Sequence, residues 1–282
     1  MKGKIMKLRY IFCGITSCLF LGISSCSLDY DPVDTYSDVT EGMTDTGEKV
    51  VFKNKAAVVG HLTTIYNQMR DRQEHWYVDL LLIADSHADN AYAGTTGAEV
   101  LPFENNSIEG SNSVMERDWN RYMEDVARAN ILICNIDAVT DNALTTTERA
   151  QYKAEAKIFR AMVMFDMVRL WGDFPVITTV ADDITSDNID EVYPQYFPAQ
   201  NTELEAYQQI EKDLLDAVLY APDNTAGNKT LFTKSVARTL LAKIYAEKPL
   251  RDYAKVIRYC DEVKADGFDL VEDFNDLFGM NT

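Results

Sequence analysis

The residues of this chain that could do chemistry are few, and their spacing does not assemble an active site. Asp85-Ser86-His87 contains the three residue types of a nucleophilic triad, but such triads converge in space and not along the chain. His61, His75 and His87 lack the spacing of a zinc site, and the acidic stretch 182–190 lacks the central glycine of a calcium loop. We therefore predict a protein that is not an enzyme and that needs neither a metal ion nor a cofactor.

Cys26 is the residue whose surroundings indicate a defined reaction. Four basic residues in 1–9 precede an apolar stretch, 10–23, which is too short for a stable membrane span. Ile23-Ser24-Ser25-Cys26 follows, and this order is typical of a secretory signal with a small-residue cleavage site. It resembles a bacterial lipobox, in which the thiol is acylated and becomes the first mature residue. We predict a signal peptide over 1–25 and a lipid anchor on Cys26; the alternative is an ordinary cleaved signal followed by a chance cysteine.

The charge of the chain argues against an anionic ligand. The formal net charge is −18, and removal of residues 1–25, which carry four basic and no acidic residues, makes it −22. Such a surface repels a phosphate backbone, which excludes nucleic acid as a partner. A neutral ligand fits this charge better.

Two further features concern the mature chain. Residues 26–53 are rich in Asp, Thr and Ser, which predicts a flexible tether that separates the body from the membrane. Cys134 and Cys260 both fall on apolar faces of predicted helices. We interpret them as two buried free thiols, with one disulfide as the alternative that an exported protein permits.

Helical periodicity positions most of the remaining residues. Apolar residues recur at spacings of three and four in segments that begin with capping residues and end at Gly or Pro. The predicted helices cover about 54–69, 119–139, 147–170, 202–218, 233–247 and 252–265. Strand signals are confined to 176–180, and residues 85–118 have the composition of a long irregular loop. These patterns predict a mainly α fold with few short strands, and its last two helices look like a tetratricopeptide hairpin.

One motif resembles that of a known family. Phe159-Arg160-Ala161, Asp166, Leu170-Trp171-Gly172-Asp173 and Pro175 occur in this order within 154–179. This order resembles the signature helix of the SusD-like (RagB/SusD) outer-membrane nutrient-binding lipoproteins, and weaker similarities extend over 54–278. The resemblance implies stacked tetratricopeptide-like helical hairpins with long irregular loops. We expect Arg160, Asp166, Arg169, Trp171, Gly172 and Asp173 to be structural, because charges within an apolar helix must be paired.

The charged residues of this motif are spaced so that they can pair. Asp166 and Arg169 are three residues apart, and Arg169 and Asp173 are four apart. Residues at these spacings are neighbours on a helix surface. We therefore expect these three side chains to meet on one face.

The resemblance also implies a function. Members of the family capture oligosaccharide at the cell surface, with aromatic rings stacked on the sugars, and deliver it to a SusC-like TonB-dependent transporter. By position, the first binding cluster of the family maps onto 85–103, so Asp89, Asn90 and Tyr92, with Trp76 nearby, are the candidate ligand contacts. Asn and Tyr suit sugars because they combine hydrogen-bonding groups with apolar surface. The alternative is an ordinary surface loop with a buried Trp76.

The length of the chain leaves a second function open. Residues 54–282 would form the SusD-like helical domain, whereas family members usually continue for a comparable length beyond this point, so the carboxy-terminal part of the family is expected to be absent. The alternative function is a lipid-anchored helical scaffold that contacts the transporter and binds no glycan itself.

Overall fold

The computed structural model describes residues 51–72, 76, 79–88, 91–92, 99–224 and 230–278. The predicted signal peptide, Cys26 and nearly all of the predicted tether lie outside these residues. In the described part no helix has the length and apolar character that a membrane span requires.

Helices dominate the described residues, which confirms the predicted fold class. The α-helices are α1 (Lys55–Asp71), α2 (Leu80–His87), α3 (Leu101–Glu104), α4 (Ser113–Asn135), α5 (Thr146–Trp171), α6 (Ile189–Val192), α7 (Glu203–Tyr220), α8 (Lys234–Ala246) and α9 (Tyr253–Ala265). Short 3₁₀ turns cover Ile136–Ala138, Tyr193–Tyr196, Lys248–Leu250 and Phe274–Phe278. A single β-bridge joins Phe174 to Asn201 within the described residues.

Residues 176–180 do not form the strand that the sequence favoured. Side chains satisfy their peptide groups: Asn130 Nδ2 donates to the Ile177 carbonyl at 2.9 Å, and the Val176 N–H donates to Asn201 Oδ1 at 2.9 Å. Extended backbone needs a partner strand to become a sheet, and here the neighbouring elements are helices.

The region 85–118 is more helical than predicted. Helix α2 continues through His87, α3 follows Val100, and α4 begins at Ser113, six residues before the predicted start at Trp119. The start of α4 is fixed by Asn112, whose side chain accepts hydrogen bonds from the N–H groups of Val114 and Met115. A side-chain cap can start a helix where the sequence has no apolar periodicity. The predicted boundary was too late because it relied on periodicity alone.

Helix α5 lies at the centre of the fold. It packs against α4 on one side and α7 on the other, while α7 packs on α8 and α8 on α9. From Ala154 to Val168 nearly every side chain of α5 is buried, as its all-round apolar sequence predicts. The α4–α5 pair is an antiparallel hairpin, because Arg149 near the start of α5 donates to the carbonyls of Ile136 and Val139 just beyond α4.

Helix α9 and the two cysteines are more exposed than predicted. The periodicity of 252–265 also predicts that Tyr253 and Ile257 face the core, but each is 62% exposed. The residue that α9 buries is Tyr259, stacked on Tyr245 with ring centroids 5.9 Å apart. Cys134 and Cys260 are both free and exposed. The periodicity identified an apolar face correctly, but only a neighbouring helix buries such a face. Helix α9 packs chiefly on α8, and it meets α7 at the Lys255–Glu211 ion pair.

Glu148 gives the fold a measurable pH dependence. It closes a capping box with Thr145 at the start of α5 and pairs with Lys55 at 2.6 Å. These contacts, first the hydrogen bond from Lys55, lower the pKa of Glu148 from 4.5 to about 2. A lowered carboxyl pKa stabilises the fold fully above pH 4.5 and loses that effect as the pH falls towards 2. We expect the melting temperature of Glu148→Gln to lie below that of the unsubstituted protein above pH 4.5, with the gap closing by pH 2.

A matched variant checks this assignment by thermal denaturation over the same pH range. Glu203→Gln removes an exposed first-turn glutamate of α7 that is not the capping-box residue. The difference in melting temperature between Glu203→Gln and the unsubstituted protein should vary less with pH. A gap for Glu148→Gln that stays constant from pH 6 to pH 2 would contradict the assignment.

Candidate functional site

An open pocket of about 430 Å³ lies where the first turns of α4 meet the end of α5. Its lining residues come from the loop before α4, from α4 itself and from the last residue of α5: Ile108, Glu109, Gly110, Met115, Glu116, Trp119 and Trp171. This volume lies within the range of small-molecule sites. Two tryptophans and two carboxylates therefore share one opening.

The loop before α4 is held by backbone and side-chain hydrogen bonds. The Ser107 N–H donates to the Pro102 carbonyl at 2.9 Å, and the Asn112 N–H donates to the Glu109 carbonyl at 3.0 Å. Asn112 also donates from Nδ2 to the Glu99 carbonyl at 2.8 Å. These bonds fix the rim on which Glu109 and Gly110 lie.

The signature motif positions Trp171. Gly172 follows it with φ of +68° and ends α5, a conformation that glycine adopts without strain. Asp173 then accepts a hydrogen bond from the Glu203 N–H at 2.7 Å, at the start of α7. The motif thus fixes the helix end at which Trp171 lies.

One expectation about this motif was wrong. Arg169 pairs with Asp166, as its spacing predicts, but Asp173 does not join them. Gly172 turns the backbone out of the helix, so the spacing of four between Arg169 and Asp173 no longer places them on one helical face. Asp173 instead binds the amino-terminal end of α7.

A chain of aromatic rings runs from the pocket into the core. Trp119 and Trp171 are both half-buried, with ring centroids 5.3 Å apart and planes at 80°. Behind them Trp171 contacts Tyr122 at 5.7 Å, Tyr122 contacts Trp76 at 5.4 Å, and Trp76 contacts Phe159 at 6.4 Å. Burial raises the pKa of Tyr122, so this ring stays neutral. Edge-to-face contacts of this kind hold the rings in place, which gives the pocket a rigid wall.

The polar groups at the pocket suit a neutral polyol. Glu109 and Glu116 are exposed and can accept hydrogen bonds from hydroxyl groups. The nearest cation along α4, Arg117, pairs with Asp79 at 2.5 Å and with Asp118 at 3.6 Å. Burial, followed by the charge of Asp118, raises the pKa of Asp79. None of the described residues that line the pocket is basic, so they offer an anion no partner.

The predicted ligand contacts fall in different environments. Trp76 is 6% exposed, and its rings contact Tyr122 and Phe159, which matches the alternative of a buried tryptophan. Tyr92 is 75% exposed. Asp89 and Asn90 lie outside the described residues. Of the two candidates that are described, Trp76 therefore lies in the core and Tyr92 at the surface.

The residues considered for catalysis are not assembled. Ser86 is buried, whereas His87 is exposed and bonds through Nε2 to Asn106 Oδ1 at 2.7 Å. Among the described residues no group of three or more His, Cys, Asp or Glu side chains could hold a metal ion.

Sequence reasoning missed the pocket because its two tryptophans had other assignments. Trp119 belonged to a predicted helix face, and Trp171 to a structural motif. They are 52 residues apart, and only the packing of α4 on α5 joins them. A usable signal was present, since Trp119 begins one predicted helix and Trp171 directly follows another.

Comparison with known proteins agrees with this architecture. The model of a SusD-like family, described as "Starch-binding associating with outer membrane", matches residues 36–246. A "SusD-like protein" of Bacteroides ovatus is 25% identical over 97% of this chain and 47% of its own length. "SusD-like protein P2" of Formosa agariphila is 28% identical over 71% of this chain and 38% of its own length. The chain thus spans less than half the length of the curated relatives it matches.

Solved structures show the same fold. A "Laminarin binding SusD-like protein" superimposes with a TM-score of 0.65 over 82% of this chain and 49% of the other, at 22% identity. A SusD superfamily protein from Bacteroides vulgatus gives a TM-score of 0.66 over 78% and 46%, at 17% identity. These likenesses concern the fold alone.

Proposed function

This chain belongs to the SusD-like family, described as starch-binding and associated with the outer membrane, and from that premise we propose that it captures a neutral oligosaccharide at the cell surface. It binds the glycan without altering it and delivers it to a SusC-like TonB-dependent transporter. Residues 1–25 are removed as a signal peptide, acylated Cys26 holds the chain in the outer membrane, 26–53 is the tether, and 54–282 is the binding domain. An intact mass that includes acyl groups on Cys26 checks the anchor.

The Trp119–Trp171 pocket is the observation that carries this proposal. Ring faces stack on the apolar faces of pyranose rings, and the carboxylates of Glu109 and Glu116 accept hydrogen bonds from sugar hydroxyls. The rings that support Trp171 from behind reduce the entropy lost on binding. The laminarin-binding relative supports a glucan as the first glycan to test.

We expect Trp119→Ala to weaken glycan binding by about ten- to hundredfold. Burial of a large apolar side chain contributes about 1.5–3 kcal/mol, and each 1.4 kcal/mol corresponds to a tenfold change in Kd. Titration calorimetry of the purified full chain with laminarin and starch oligosaccharides measures the change. Uronic-acid oligosaccharides should bind more weakly than neutral ones, because Glu109 and Glu116 repel them.

Tyr253→Ala is the matched control, because Tyr253 is an exposed aromatic on α9 that does not line the pocket. It should leave the affinity unchanged. If Trp119→Ala and Tyr253→Ala bind equally well, while both keep the melting temperature of the unsubstituted protein, the pocket is not the binding site.

The alternative function is a lipid-anchored scaffold that contacts the transporter and binds no glycan. Co-purification of a SusC-like transporter with this chain, together with no heat of binding for any neutral glycan, would select the scaffold.

A further inference from the structure

A second group of exposed rings, none of which lines the pocket, lies on the turn formed by α6 and the 3₁₀ helix after it. Tyr193, Tyr196 and Phe197 are 53%, 49% and 67% exposed; we call them the aromatic platform. The rings of Tyr193 and Phe197 have centroids 4.8 Å apart and planes inclined at 44°. Two large rings thus stand side by side with half or more of their surface in solvent.

The platform is fixed to the fold. Val192 is buried and anchors the turn. Tyr196 donates from its hydroxyl to the Asp182 carbonyl at 3.0 Å, and the Asp182 N–H donates to Gln195 Oε1 at 3.3 Å. These bonds tie the platform to the chain before it. The turn that carries the rings is therefore held in place before any ligand arrives, which lowers the entropic cost of binding.

The charged residues of the segment that carries the platform have one sign. Residues 180–197 contain five carboxylates and no lysine or arginine: Asp182, Asp183, Asp187, Asp190 and Glu191. Asp190 precedes Tyr193 by three residues on one helical turn, so the carboxylate and the ring share a side. The surface offers hydrogen-bond acceptors beside apolar ring faces, and it repels anions.

We propose that the aromatic platform is a second contact site for a neutral glycan, with the rings of Tyr193 and Phe197 stacked on pyranose units. The inference rests on the proposed function and extends it from one contact to two. A glycan fits better than a protein partner, because a stable protein interface covers about 800 Å² on each side, whereas a single sugar needs only one or two rings.

A chain with two glycan contacts should distinguish long glycans from short ones, which a single pocket does not. A polysaccharide can engage both sites at once, and the second contact then forms at a high effective concentration. A trisaccharide bound in the pocket gains nothing from the platform. The platform should therefore raise the affinity for polymers and leave that for short oligosaccharides unchanged.

The test uses Tyr193→Ala/Phe197→Ala in the full chain. We expect the affinity for laminarin or amylopectin, measured by affinity gel electrophoresis, to fall at least about tenfold. The calorimetric affinity for laminaritriose or maltotriose should stay within twofold of the unsubstituted protein. Leu219→Ala/Tyr220→Ala is the matched control, since it removes two similarly exposed apolar side chains of α7 and should change neither affinity.

The results separate this inference from the proposed function. If Tyr193→Ala/Phe197→Ala binds polymer as tightly as the unsubstituted protein, the platform is not a glycan contact, even when Trp119→Ala abolishes trisaccharide binding. Loss of trisaccharide affinity in the double variant would also overturn the inference, because the two sites would then not be separate. If the unsubstituted protein binds no neutral glycan, the proposed function fails, and this inference fails with it.

Discussion

The Arg160→Met variant is expected to lose about 3–5 kcal/mol of its free energy of unfolding, because the change leaves a buried carboxylate without its partner. Arg160 and Asp213 have side chains only 3% and 2% exposed. The guanidinium binds Asp213 in a bidentate manner, with Nε–Oδ2 at 2.8 Å and Nη2–Oδ1 at 2.7 Å. Urea denaturation of the full chain measures the loss.

The same guanidinium joins two further parts of the fold. Its Nη1 donates to Asn130 Oδ1 at 2.6 Å and lies 3.4 Å from the Thr178 carbonyl. Arg160 therefore connects α5 to α4, to α7 and to the extended residues 176–180. A substitution here should loosen the backbone that follows Trp171 as well as the helix packing, which also explains why this signature arginine is structural.

A neighbouring ion pair on the same interface provides the control. Lys157 and Asp216 also join α5 to α7, but their side chains are 20% and 39% exposed. Surface pairs of this kind contribute about 0–1 kcal/mol, so Lys157→Met should cost no more than that. Arg160→Met/Asp213→Leu should recover part of the stability, because it removes both buried charges. Equal losses for Lys157→Met and Arg160→Met would contradict this account.

Trp76→Ala is expected to destabilise the protein by about 3–5 kcal/mol, as large-to-small changes of buried aromatic residues do. Trp76 is almost fully buried between Tyr122 and Phe159. The cavity would lie behind Tyr122, the ring that supports Trp171. Glycan affinity should therefore fall, because Trp171 would be held less firmly. Trp76→Phe should keep most of the stability and bind glycan within about threefold of the unsubstituted protein. Thermal denaturation and calorimetry provide the two measurements.

Tyr92 is the natural comparison, since the same sequence argument proposed both residues as ligand contacts. Tyr92 is 75% exposed, and exposed substitutions usually change stability by less than about 0.5 kcal/mol. Tyr92→Ala should therefore leave stability unchanged. A loss of glycan affinity in this variant would support the predicted cluster at 85–103. If Trp76→Ala is as stable as Tyr92→Ala, the ring is not part of the core.

Several expectations from the sequence were confirmed because local physics decides them. The cap that begins α7 at Thr202 and the apolar periodicity of α5 and α7 are properties of short segments. The residues of the 154–179 motif were sufficient to identify the SusD-like family, which the family match confirms. The roles of Cys26, Asp89 and Asn90 remain predictions.

Other features depend on which elements become neighbours. The sequence predicted that Arg160 needs a buried partner, but Asp213 lies 53 residues away, and only the packing of α5 on α7 brings them together. The exposure of Cys260 depends on the number of helices that pack on α9. The pocket depends on the meeting of Trp119 with Trp171.

By itself, the sequence determined the helical class, the family, the start of α7 at its capping residue Thr202, and the need to pair the charges of α5. Only the tertiary structure decided that Trp76 serves the core, that Trp171 lines a pocket, and that Tyr193 and Phe197 stand exposed side by side. The physical reason is that helix formation follows interactions within a few residues, whereas the exposure of a side chain follows from what packs against it.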